Sequence, residues 1–202
     1  MIQRLGNIFF LTLLLCFLSL SCKDSSITST GASGIYDGPP PYWKYAIYDS
    51  LENTADTLLI HAVDSVRLQD GRSAIRLLYK YTTRTDTVFG TISNDTLLFY
   101  SEGNFQIPSL MFVVPFQVGM GWHYPSPDSF TVAAKETVVV QGRSFYNCYK
   151  ITRVPFQGNF FGGTDYWVDP SIGLIRLHEH WLVTIGPQQK NVVWELLTYR
   201  LF

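Results

Sequence analysis

The chain is poor in cysteine and in charged residues. Its 202 residues include three cysteines, Cys16, Cys22 and Cys148, and only 15% charged residues. Two of the cysteines lie in or beside an apolar N-terminal stretch, which leaves Cys148 alone in the rest of the chain. A secreted domain held together by disulfides has an even number of cysteines. The fold must therefore depend on a hydrophobic core.

The common catalytic and nucleotide-binding signatures are also absent. There is no G-x-S-x-G elbow, Walker loop, H-E-x-x-H motif or paired C-x-x-C, which excludes the recognisable forms of the hydrolase, nucleotide-binding and zinc classes. Arg4 is the only one of the fifteen basic residues before residue 22, so fourteen then face sixteen acidic residues, a net charge of about −2. We therefore expect no cofactor, no metal ion and no nucleic-acid partner.

The N-terminus has the layout of a secretory signal peptide. Arg4 precedes a run from Ile8 to Leu20 that is almost wholly apolar. The run is shorter than the roughly 20 apolar residues that a membrane-spanning helix needs. It ends in the small residues Ser19 and Ser21, as a signal-peptidase site requires.

The ending FLSLSC resembles the signals of bacterial lipoproteins, in which a cysteine, here Cys22, is acylated and becomes the first residue of the mature protein. Ser19 stands where these signals usually have leucine, so an ordinary secretory signal with a chance cysteine is the alternative. The resemblance implies a signal peptide over residues 1–21 and two or three acyl chains on Cys22, enough for stable membrane attachment. Lys23 in place of aspartate implies the outer membrane, with the domain facing the periplasm or the cell surface.

The remaining chain divides into a tether and one domain. Residues 22–41 contain the lipidated cysteine and the stretch KDSSITSTGASGIYDGPPP, which has too little apolar surface to fold. Residues 42–202 show no further low-complexity break and no internal repeat, and their length is typical of a single domain. We predict a flexible tether over residues 22–41 and a single β domain over residues 42–202.

Alternating apolar and polar residues predict strands through most of this domain. In residues 73–83, for example, Ile75, Leu77 and Tyr79 share one face. Tight turns such as residues 69–72 join successive strands, and no segment has a helical period. The pattern predicts an all-β antiparallel meander of about nine or ten strands, curled into an open or closed barrel. A β-sandwich is the alternative.

Three segments, GMGWHYPSPDSF, ETVVVQGRSFYNCYKI and DYWVDPSIGLIR, resemble a pattern in many poorly characterised secreted bacterial proteins. Those proteins are similar to the half-barrels of the periplasmic lipoprotein carrier and its outer-membrane receptor, which hold acyl chains against a concave apolar sheet. The resemblance implies a curled sheet with a hydrophobic ligand. Structure alone also explains the pattern, since Asp169, Pro170 and Gly173 shape a turn.

Glu179 is the strongest single candidate for an unusual role. A strand places it on the same face as Leu177 and Trp181, and a carboxylate among apolar neighbours must find a partner or raise its pKa. The alternative is a hydrated position at the rim. His178 and His180 lie on the opposite face, so the three side chains do not converge on one metal ion.

The loop of residues 155–163, PFQGNFFGG, is a second candidate. Its glycines give mobility, and Phe160 and Phe161 are candidates to close over an apolar pocket. A hairpin tip folded onto its own sheet is the alternative. Cys148 is interpreted as a small buried hydrophobe rather than a nucleophile.

A four-residue loop over residues 186–189 would set the register of the last hairpin. It would place His180 opposite Glu195 as an ion pair, and Trp181 opposite Trp194 as an aromatic pair.

These features predict a non-enzymatic binding or scaffold module, anchored by lipid to the outer membrane, with a lipid or acyl chain as the more concrete ligand. The alternative is an accessory protein-interaction subunit of an envelope complex, with an exposed apolar patch or an unpaired edge strand. A third interpretation is an envelope hydrolase in which Glu179 acts with Asp165 or Asp169 in one cleft.

Overall fold

The computed structural model of the chain describes residues 39–68, 70–123, 128–155, 162–182 and 189–201. Within these ranges every regular element is a strand. None of the described segments forms a helix with the length and hydropathy needed to cross a membrane. The predicted signal peptide, Cys22, Phe160 and Phe161 lie outside the described residues.

Twelve strands form one antiparallel sheet, which confirms the predicted all-β fold and slightly exceeds the predicted strand number. In chain order they are β1 Tyr42–Asp49, β2 Thr54–Arg67, β3 Ser73–Lys80, β4 Thr85–Ser93, β5 Thr96–Ser101, β6 Leu110–Val113, β7 Gly121–His123, β8 Ser129–Val140, β9 Arg143–Val154, β10 Gly162–Asp169, β11 Gly173–Leu182 and β12 Gln189–Arg200. Sequence reasoning missed β1, β6 and β7.

The strand order makes the sheet a nearly closed up-and-down barrel. Every strand pairs with its neighbours in sequence except at β6 and β7, and β1 pairs with β12. The barrel is therefore split only between β6 and β7. The indole of Trp122 on β7 donates a hydrogen bond to the Met111 carbonyl on β6 across this seam, at 3.2 Å. The barrel, not the sandwich, is thus the observed form.

Because the strands alternate in direction, the connections collect at two ends. We call the upper end the one where β1 meets β2, β3 meets β4, β5 meets β6, β7 meets β8, β9 meets β10 and β11 meets β12. The lower end has the other turns and also the start of β1 and the end of β12. The chain before Tyr42 therefore joins the barrel at its lower end.

Buried side chains fill the lower and middle interior. The β8–β9 hairpin is bent by two bulges, and its tip contributes Val140 and Phe145 to a cluster with Tyr45, Leu58 and Leu196. Since β8 and β9 do not pair with β1, β2 or β12, these contacts cross the barrel. Their burial supplies the core that the lack of disulfides requires.

A second cluster fills the interior beside the seam. Phe112 on β6 lies edge-on to Tyr166 on β10, with ring centroids 5.4 Å apart. Phe130 and Trp122 stack at 5.4 Å, and Phe116 joins from the connection between β6 and β7. These aromatic contacts hold the two edges of the split sheet together without a backbone ladder.

Candidate functional site

The interior becomes progressively more accessible towards the upper end. On β11 the inward side chains Ile175 and Leu177 are 0% and 7% exposed, whereas Glu179 and Trp181 above them are only half-buried. On β12, Leu196 is fully buried and the inward residues above it are half-buried.

The same gradient recurs on other strands. Tyr45 on β1 and Leu58 on β2 are buried, but Ile47 and Asp56, the next inward residues towards the upper end, are partly exposed. On these four strands the interior is therefore filled below and partly accessible above, whereas on β8 and β10 the upper inward residues Phe130 and Thr164 are 2% exposed.

Tyr79 and Leu77 on β3 belong to the border of the core. Both are half-buried side chains that pack against the lower cluster of Tyr45, Leu58 and Leu196. Desolvation by burial, with a smaller contribution from Tyr81, raises the pKa of the Tyr79 phenol well above its ordinary value.

Two ion pairs lie at the upper end. The Lys190 ammonium on β12 is 2.9 Å from the Asp49 carboxylate on β1. The Arg153 guanidinium on β9 donates hydrogen bonds of 2.9 and 2.5 Å to one oxygen of Asp128. The Asp49 and Asp128 side chains are 14% and 11% exposed, whereas Lys190 and Arg153 are 33% and 34% exposed.

The Tyr166 hydroxyl connects these charges to the interior. Burial raises the pKa of Tyr166, the charge of Glu179 adds to the rise, and contacts with Arg153 and Thr164 oppose it. Thr164 lies opposite Glu179 on the neighbouring strand and is 2% exposed. The upper interior therefore combines an apolar wall with a rim of hydrogen-bonding and charged groups.

Glu179 lies where the sequence placed it, on one face with Leu177 and Trp181. It is half-buried near the rim, between Thr164 on β10 and Val192 on β12. Glu179 makes no ion pair or side-chain hydrogen bond with any residue that the structure describes.

The predicted register of the last hairpin is wrong by four residues. Arg176, not His180, lies opposite Glu195, and their ion pair measures 2.6 Å. Leu177, not Trp181, lies opposite Trp194. In the observed register, this ion pair lies on the outer face of the sheet and the Leu177–Trp194 contact lies on the inner face. A shift of four residues would break both contacts.

The two histidines of this segment share a face, as the alternation predicts. Their rings are 5.6 Å apart, and His178 Nε2 lies 3.0 Å from the Asn191 side-chain oxygen. Asp165 lies opposite His178, where it binds Lys150 and Thr152. Among the described residues no group of three or more potential ligands could hold a metal ion.

The carboxylates of the hydrolase interpretation do not converge. Asp165 lies on the face opposite to Glu179, because its neighbour Thr164 is the residue that faces Glu179. Asp169 is at the lower end, where it accepts hydrogen bonds from Ser171 in the turn after β10. The shared cleft that this interpretation required is therefore not formed.

Cys148 is a fully buried residue, as predicted. It belongs to the lower cluster and is 0% exposed. Burial raises the pKa of its thiol to about 11, and the charges of Asp169 and Glu136 add to that effect. A thiol in this environment is a poor nucleophile.

The loop before β10 needs one correction. Gly162 and Gly163 belong to β10 rather than to a mobile loop. A Cβ atom on Gly162 would lie 2.4 Å from the His180 carbonyl oxygen, so this glycine permits a close backbone approach. Phe160 and Phe161 themselves lie outside the described residues.

Sequence reasoning missed the other rim residues. Arg153 continues the inward alternation of Ile151, and this signal was available in the sequence. Asp49 belongs to a strand that was not predicted, and the inward direction of Lys190 follows only from the correct register.

No protein-family model matches this chain, and no curated protein matches it. Among solved structures, the chain is similar to a Bacteroides fragilis protein that is inferred to be exported and has a YmcC-like fold, with 11% identity, a TM-score of 0.41, and coverage of 81% of this chain and 97% of that one. It is also similar to a Parabacteroides distasonis protein inferred to be a lipoprotein, with 10% identity, a TM-score of 0.35, and coverage of 81% and 96%.

Proposed function

We propose that the protein is a non-enzymatic lipoprotein of the bacterial outer membrane that binds a hydrophobic ligand in the upper half of its barrel. The observation that carries the proposal is the burial gradient. Inward side chains change from fully buried at Ile175 and Leu196 to half-buried towards the upper end. An enclosed apolar wall that stays accessible is the usual form of a small-molecule site.

The sequence supports the membrane anchor, and the fold indicates which end of the barrel is joined to it. Cys22 follows the signal-like segment, and the chain after it enters the barrel at the lower end. The tether and the accessible mouth are therefore at opposite ends of the domain. This arrangement leaves the mouth free for a ligand when the lower end is nearest the membrane.

Ligand binding is tested with a neutral fluorescent probe, N-phenylnaphthylamine. All twelve strands lie between residues 42 and 200, so a chain that begins at Lys23 keeps the whole barrel. We expect saturable binding by this chain. Val192→Trp places a larger side chain on the inward face beside Glu179 and should weaken probe binding about tenfold, whereas Val193→Trp, one residue away on the opposite face, should leave it unchanged.

Thermal unfolding of both variants checks that they fold. Absence of probe binding by the wild-type chain would refute the hydrophobic-ligand proposal, as would equal binding by two folded variants.

The anchor is tested by intact-mass spectrometry of the full chain from bacterial membranes. The mature mass should begin at Cys22 with its acyl chains, and Cys22→Ala should abolish both the cleavage and the added mass. An unmodified wild-type chain would show that the protein is freely secreted and would refute the lipid anchor at Cys22.

An accessory-subunit role is the second candidate, and one observation favours it. Tyr146 and Val139, on the β8–β9 hairpin, are large apolar side chains that are 72% and 55% exposed. Isolated exposed apolar residues are common on soluble proteins, so a partner must be demonstrated directly. Crosslinking in the native envelope that returned only the monomer would remove this candidate.

A further inference from the structure

We infer that the ligand is an amphiphile with a cationic amine head, and that Glu179 binds this head at the mouth of the barrel. The inference rests on the proposed function, because it assigns the chemistry of the ligand in that same upper interior. It depends on which charges at the rim are already paired and which one is not.

Both cations of the rim are engaged by carboxylates of the chain. Lys190 binds Asp49 at 2.9 Å. Two nitrogens of Arg153 bind the same oxygen of Asp128, at 2.9 and 2.5 Å. An anionic head, such as that of a fatty acid, would have to displace one of these carboxylates, so it would exchange one ion pair for another and gain no free cation.

Among the described rim groups, Glu179 is the carboxylate without an ion pair, although its charge adds to the rise in the pKa of the nearby Lys190. It has no ion pair or side-chain hydrogen bond within the described ranges, and it lies on the inward face directly above the buried Leu177. The two ion pairs and Glu179 together contain three carboxylates and two cations, so these five groups have a net charge of −1. A half-buried carboxylate gains most from a charged hydrogen-bond donor.

An alkylammonium ion matches this arrangement. Its head has three N–H donors and no acceptor. Its tail would lie along the half-buried inward side chains of the upper interior, among them Ile47, Trp181 and Val192. The buried Leu177 closes this space two residues below Glu179, about 7 Å at 3.3 Å per residue, which suits a single chain rather than a bulky lipid.

The inference is tested by calorimetric titration at pH 7.5 with decylamine, decanol and decanoate, which share one tail and differ in the head. The titrated chain begins at Lys23. We expect decylamine to bind about tenfold more tightly than decanol, and decanoate to bind more weakly than either. In Glu179→Gln the preference for the amine should disappear while decanol binding stays unchanged.

Glu102→Gln is the matched control, because it removes the same charge from an exposed side chain in the connection after β5. It should keep the full preference for the amine. Failure of the wild-type chain to bind any of the three ligands would refute the proposed function itself. Equal binding of amine and alcohol, tighter binding of decanoate, or an amine preference that survives in Glu179→Gln would overturn this inference and leave hydrophobic binding intact.

Discussion

The two ends of the barrel use similar strands in different ways. At the lower end and in the middle, the tip of the β8–β9 hairpin packs across the barrel onto β1, β2 and β12, and Ile175, Leu196 and Cys148 are fully buried. At the upper end the inward positions hold Glu179, Lys190 and other half-buried side chains. The lower end is a packed core, whereas inward side chains at the upper end keep part of their surface accessible.

This contrast shows how one sheet separates stability from binding. Apolar burial below supplies the free energy that holds twelve strands in one closed shape. Because the upper interior contributes less to that free energy, its side chains are available for a ligand. Equivalent substitutions at the two ends should therefore have unequal effects on thiol reactivity and on the free energy of unfolding.

The largest difference is expected in thiol reactivity. In a chain that begins at Lys23, Cys148 is the only cysteine. Since burial raises its pKa to about 11, its thiolate fraction at pH 8 is on the order of one in a thousand, and labelling should be at least about a hundredfold slower than for an ordinary thiol of pKa near 8.5. Iodoacetamide labelling followed by mass spectrometry measures this rate.

The matched comparison places the thiol in the upper space instead. Val192→Cys in a Cys148→Ser background should react much faster than Cys148 in the wild-type chain, because Val192 is a half-buried inward residue beside Glu179, and urea should make the two rates equal. Similar native rates at the two positions would mean that the interior is uniformly filled or uniformly open.

The next difference is in stability to truncation. Val140→Ala removes two methyl groups from a side chain of the lower cluster that is 1% exposed, and the free energy of unfolding should fall by about 2–3 kcal/mol. Val192→Ala removes the same atoms from a half-buried position beside Glu179, where the loss should be about 1 kcal/mol because less apolar area returns to water. Urea denaturation of the two variants measures both losses. Equal losses in the free energy of unfolding would contradict the proposed contrast between the packed lower core and the accessible upper interior.

Much of this fold could be predicted from its alternation. The inward face of β3, with Ile75, Leu77 and Tyr79, and the shared face of Glu179 and Leu177 were both readable because polar and apolar residues alternate there. The inward face of β1 could not be predicted in this way. In its sequence YWKYAIYD, aromatic and apolar residues occupy both faces, so the alternation gives no direction.

The rim depends on contacts that local sequence does not specify. The register of β11 with β12 follows from the length of the connection between Leu182 and Gln189 and from the Arg176–Glu195 ion pair. A period-two pattern fits a shift of four residues equally well, because each side chain keeps its face. The pairing of Lys190 with Asp49 joins the last strand to the first and follows only from closure of the barrel.

The smallest expected effect concerns this last ion pair and its pH dependence. For Asp49, desolvation works towards a higher pKa, but hydrogen bonds from Lys190 and from the backbone of Glu52 and Leu51 outweigh it and lower the pKa. For Lys190, the hydrogen bond to Asp49 raises the pKa. An acid whose pKa is lowered by folding stabilises the folded state at pH values above its unfolded pKa, and this stabilisation is lost as the pH falls through its folded pKa. A lysine whose pKa is raised by folding stabilises the folded state at pH values below its unfolded pKa, and this stabilisation is lost as the pH rises through its folded pKa. Lys190→Gln should therefore lower the free energy of unfolding by less than about 1 kcal/mol near pH 7, and its difference from the wild type in urea denaturation should shrink below about pH 4 and above about pH 10. A difference that stays constant across this range would show that the pair does not stabilise the upper end through charge.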